Sequence, residues 1–133
     1  MPQRKDNFFF TTGWSAAMAA AAATATVNIL IAADAPFLCY RISGHVRQGA
    51  AGTEVTVTTF GGDVQINESQ LNRNIFNLAG AMDMFVAVGA PPYDLTPPRL
   101  FAANTTVIVA FTSDVATNTY CQLILHGAKL FGV

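Results

Sequence analysis

His45 and His126 are the only histidines of the chain, and Cys39 and Cys121 the only cysteines. These four, with a scatter of aspartates and one serine, hold most of its capacity for chemistry. Neither histidine lies at ligand spacing from a cysteine, an aspartate or the other histidine, so the pattern signals no metal site. Ser43-Gly44-His45 sets a hydroxyl two residues from an imidazole, but the G-x-S-x-G turn that would expose a nucleophile is missing, and no third member is evident. Asp34, Asp63, Asp83, Asp94 and Asp114 mostly sit beside Gly, Pro, Ala or Ser. That setting suits side chains that hydrogen-bond turn amides better than a pair of hydrolytic carboxylates. Gly61-Gly62 lacks the lysine and helix of a phosphate loop. The expectation is a protein that is not an enzyme, with no catalytic residue, no metal and no cofactor.

The cysteines lack C-x-x-C spacing and each falls in an apolar, strand-like run, where Cys behaves as a small hydrophobe. Buried free thiols are the favoured reading; a Cys39–Cys121 bridge is the alternative. Seven basic residues balance eight acidic ones, and only Arg4-Lys5 are adjacent. Nucleic-acid binding needs clustered cations to displace phosphate counterions, so none is expected.

The elements that would position these groups read as strands. Asn7-Phe8-Phe9-Phe10-Thr11-Thr12 is aromatic and β-branched and stops at Gly13. From Thr24 to Ala32, Val27, Ile29 and Ile31 alternate with Asn28 and Leu30, and after the Asp34-Ala35-Pro36 turn Phe37–Val46 is again extended. Thr53–Phe60 alternates cleanly, and Gly61-Gly62 followed by Val64-Gln65-Ile66 predicts a tight hairpin. Residues 67–82 have neither period and read as loop with at most one helical turn. Met84–Val88, Thr105–Thr112 and Thr119–His126 complete the set, the last able to run on past Gly127 to Phe131, with Ser113–Asn118 a loop of hairpin length. Pro97-Pro98 marks an extended segment. About eight strands without an amphipathic helix predict an all-β, single-domain β-sandwich of jelly-roll type. Residues 1–25 are expected to form an N-terminal arm and Ala-rich loop, and residues 26–133 the sandwich.

Composition points outward. Of 133 residues, 52% are hydrophobic and 11% charged, against a usual charged share of about 25%. A domain this small exposes much of its surface, and here that surface has few charges to keep it in water. Covering apolar area with neighbouring subunits resolves this, at about 25 cal/mol per Å² removed from water. Phe8, Phe9, Phe10 and Trp14 are the candidate contact residues. Core or interface packing is the favoured reading of these rings, and an aromatic platform for a sugar is the alternative. Arg4-Lys5 before an Ala-rich stretch has the outline of a secretory signal, but the expectation is that it stays on the chain. Trp14–Ala33 is long enough to span a bilayer, yet its Ala and Thr content and Asn28 make it too weakly apolar, so no membrane span is expected.

Leu95–Val109 (LTPPRLFAANTTVIV) and Cys121–Phe131 (CQLILHGAKLF) combine a Pro-flanked extended segment, an Asn-Thr turn, a β-branched strand and a terminal strand ending His-Gly-x-Lys-x-Phe. This pattern covers roughly the last quarter to third of the chain and resembles small virion proteins of tailed bacteriophages. With the all-β reading, it is most similar to their jelly-roll cement or decoration proteins. The resemblance implies a structural protein that bridges capsid subunits, with the major capsid protein or other virion subunits as partners. It further implies a homo-oligomer placed on the capsid surface after synthesis in the bacterial cytoplasm, and it carries over no site residue. The alternative is a carbohydrate- or receptor-binding β-sandwich on a tail or fibre.

Overall fold

The structure is a computed structural model that describes residues 4–50, 52–57, 62–76, 78, 80–81, 93–114 and 116–132. It is all β, built from β1 (Arg4–Thr11), β2 (Thr24–Ile31), β3 (Phe37–Gln48), β4 (Val55–Val57), β5 (Asp63–Glu68), β6 (Arg73–Asn74), β7 (Gly80–Ala81), β8 (Tyr93–Phe101), β9 (Thr105–Thr112) and β10 (Thr119–Phe131). All pairings between these strands are antiparallel. The first sheet runs β1-β10-β3, with β4 and β8 both pairing with β3; the second runs β2-β9-β5, with β6 and β7 both pairing with β5. The chain thus passes back and forth between two packed sheets, with its first and last strands side by side, in the strand order of a jelly roll.

Period-2 patterning explains why the sheets face each other. In β9 and in β10 up to His126, buried residues alternate with half-buried ones without a break. Ile29, Ile31, Phe37, Ile42, Ile66, Val109, Phe111, Leu123 and Leu125 meet in a single buried cluster that also takes in Cys39 and Cys121. Both thiols are free, and burial pushes each up to about 12. Glu68 is also buried and is held by Arg73 at 2.9 Å across the β5–β6 pair.

Three expectations need correction. The predicted hairpin across Gly61-Gly62 does not form: β4 pairs with β3 in one sheet and β5 with β9 in the other, while residues 58–61 lie outside the described residues. Likewise Ser113–Asn118 carries the chain from β9 to β10 in opposite sheets. Alternation identifies a strand but not its partner, and a jelly roll pairs strands distant in sequence. The stretch read as an arm is built into the sandwich over its described residues. β1 pairs with β10 over eight residues, and Met18 is fully buried in the core. Beyond β1, Thr12 and Ser15 Oγ atoms accept from the backbone amides of Leu123 and Cys121, both at 3.0 Å, so small hydroxyl residues stand in for strand carbonyls. The expected strand Met84–Val88 falls outside the described residues.

Candidate functional site

The outer face of the β1-β10-β3 sheet carries a hollow, and one irregularity of the strands makes it. Pairing of β3 with β10 runs regularly from Gln48↔Thr119 to Arg41↔His126, then resumes at Cys39↔Gly127, which leaves Tyr40 as an extra residue. The bulge is held by the Cys39 thiol, which donates to the Arg41 carbonyl at 3.4 Å. It also depends on Gly127, because a Cβ at that position would fall on the Leu38 carbonyl oxygen and within 2.8 Å of the Phe37 ring. Bulges re-aim side chains. Here Tyr40 and Arg41 both oppose His126, and with Asn7, Phe9 and Gly127 they line a hollow of about 330 Å³.

From the lining, His126 Nε2 reaches Ser43 Oγ at 2.7 Å. Burial, and secondarily the Arg41 guanidinium, hold the His126 pKa below the ordinary imidazole value, so the neutral ring is favoured. Arg41 Nε is paired with Asp94 at 2.8 Å. A serine nucleophile needs its histidine to become imidazolium and a carboxylate to steady that charge. Here the neighbouring charge on His126 is a cation, and Asp94 is engaged by Arg41. The arrangement suits binding through neutral hydrogen-bonding groups better than acyl transfer.

The four residues expected at subunit contacts separate. Phe10 turns inward and meets Phe37 edge-on, with ring centroids 4.8 Å apart. Phe8, on the same side of β1, lies 4.7 Å from Phe10 and beneath the Lys129 ammonium, which also reaches Asp34 at 3.1 Å. Trp14 is covered by Arg47, whose Cζ stands 3.8 Å from the ring centroid. Phe9 alone points outward with most of its surface free, 60% exposed, and makes a right-angled contact with His126 at 5.1 Å. Alternation along Phe8-Phe9-Phe10 contained this split. By contrast, no local signal joined Ser43 to His126, 83 positions apart; the reading of Ser43 with His45 stayed within one strand.

The opposite outer face is unlike this one. Its cross-strand rows are Thr24–Thr112–Asp63, Thr26–Ala110–Gln65 and Asn28–Ile108–Asn67, with Leu30 beside Thr106 at 62% exposure. Among these outward residues of β2, β9 and β5 the only charge is Asp63. The β2–β9 register is unbroken over eight pairs.

Among the described residues, no three His, Cys, Asp or Glu side chains are grouped to hold a metal, and no helix is long and apolar enough to cross a membrane. Compared with protein-family models, curated proteins and solved structures, the chain matches none of them.

Proposed function

We propose that this protein is a structural subunit of a phage virion, which stabilises the capsid shell by bridging neighbouring subunits. The observation that carries the reading is the outer face of the β2-β9-β5 sheet, an almost charge-free surface of Thr, Asn, Gln, Ala, Ile and Leu on a chain that is only 11% charged. Interface centres are depleted in charge, and removing such a face from water needs no salt bridge to be broken. The β2 edge adds to it: among the described residues this strand pairs only with β9, and Thr24–Ile31 contains no charge and no proline to deter a further chain. The resemblance of Leu95–Val109 and Cys121–Phe131 to small virion proteins supports the particular partner.

Leu30→Glu tests the reading. Leu30 projects to solvent, so the variant should fold and melt within about 0.5 kcal/mol of the parent, yet be depleted from purified virions at least tenfold relative to it. A parent protein that never copurifies with particles, or a Leu30→Glu variant incorporated as well as the parent, would overturn the proposal.

A further inference from the structure

We infer that the bulge-made hollow lined by Phe9, Tyr40, Arg41, His126 and Asn7 is a binding site for a neutral hexopyranose, the size of one terminal sugar of a glycan. The inference does not rest on the assembly reading, since the hollow lies on the opposite face of the sandwich.

Three features select this ligand class. An aromatic ring is offered to the ligand: Phe9 is 60% exposed and touches His126 only at a right angle, so it is not stacked away within the protomer. The C–H face of a pyranose is the natural partner of such a ring, and its hydroxyls complement a few placed polar groups. Residues that carry such groups are present in the lining, where Asn7, Tyr40 and His126 accompany Phe9. Trp14 is the less available ring, because Arg47 already occupies one of its faces and it is 36% exposed.

Charge then narrows the choice. The Arg41 cation is matched by Asp94 at 2.8 Å, and His126, which meets Ser43 at 2.7 Å, is biased toward its uncharged form. A phosphate or carboxylate would find no unpaired cation in the lining, whereas a neutral polyol meets donors and acceptors without having to be stripped of a counter-charge. Size narrows it again, since about 330 Å³ lies at the bottom of the range of small-molecule sites and accommodates a monosaccharide more readily than an oligosaccharide. Finally, the lining comes from three adjacent strands and not from a loop, so the groups are held before the ligand arrives.

The test uses the intact protein with D-glucose, D-galactose and D-mannose as separate probes, and N-acetylneuraminic acid as the anionic comparison, in saturation-transfer and amide-shift NMR. At least one neutral hexose should receive saturation on its ring C–H protons, with a Kd on the order of 1 mM and shifts confined to Asn7–Phe9, Tyr40–Ser43 and His126–Gly127. Phe9→Ala should weaken that binding about tenfold, a loss near 1.4 kcal/mol, while Phe9→Tyr, which keeps the ring, retains it. Tyr40→Phe should weaken it less, by the loss of one hydroxyl. The inference is wrong if no neutral hexose binds, if Phe9→Ala binds as the parent does, if the shifts fall elsewhere, or if the anionic sugar binds more tightly than every neutral one.

Discussion

The two outer faces of the sandwich are made of the same kind of strand, yet they differ in nearly everything that matters for recognition. On the β2-β9-β5 face the register is regular, the side chains are neutral except Asp63, and the surface is a ladder of rows drawn from Thr, Ala, Gln, Asn and Ile. On the β1-β10-β3 face, one extra residue at Tyr40 breaks the register, and aromatic, cationic and imidazole side chains gather around the break. The contrast shows how one backbone irregularity turns a flat packing surface into a concave one. A regular ladder can only present its side chains in rows. A bulge turns two neighbours toward one partner and leaves room beside them.

The strongest way to erase the difference is to remove the residue that permits the bulge. Gly127→Ala puts a methyl group into the Leu38 carbonyl and against Phe37, and because backbone must move to admit it, the cost should reach the upper end of overpacking, about 3 kcal/mol. For a chain of this size that is a drop in Tm on the order of 10 °C, measurable by calorimetry. A variant melting within a degree or two of the parent would mean that the close β3–β10 approach does not hold the hollow together.

A smaller effect separates the faces by pH. His126 has a folded-state pKa lowered by burial and by Arg41, so the unfolded chain takes up a proton near pH 6.5 that the folded chain refuses. The neutral ring's contribution to stability is therefore complete above about pH 6.5 and is lost as the pH falls toward the lowered folded value. Tm should decline over that interval, and His126→Gln should flatten the decline. An unchanged slope in the variant would assign the decline to other groups and contradict the neutral-ring account of the hollow.

Much of this architecture was legible in the sequence because burial imposes period 2. Thr105–Thr112 emerges with the expected limits, Thr119–His126 takes the longer of its two readings and runs on to Phe131, and β2 and β3 differ from theirs by a residue or two. β8 was legible only as an extended segment around Pro97-Pro98, without its limits; the strand accommodates the two prolines at a sheet edge, where its pairing with β3 is interrupted. Pairing was the least legible property. The alternation of Val55-Thr56-Val57 and Val64-Gln65-Ile66 is real, but both segments are also satisfied by partners far along the chain. The hollow fails to show in the sequence for the same reason: Ser43, His126, Phe9 and Tyr40 become neighbours only through registers of β1, β10 and β3, and the decisive signal is one unpaired residue within a twelve-residue strand. The aromatic N-terminal run was conspicuous by type, yet type alone could not show that Phe10 belongs to the core and Phe9 to solvent.

The central claim, that the charge-poor face is the packing face, is tested most directly by amide hydrogen exchange on the protein in purified virions and free in solution. The account predicts that β2 and β9, Thr24–Ile31 and Thr105–Thr112, gain protection on incorporation, because β2 is an edge strand whose outward amides are open in the free chain. Tyr40–Ser43 and β1 should exchange alike in both states. Protection gained at β1 and Tyr40–Ser43 with none at β2 and β9 would contradict it, and would make the aromatic face the one that binds the shell.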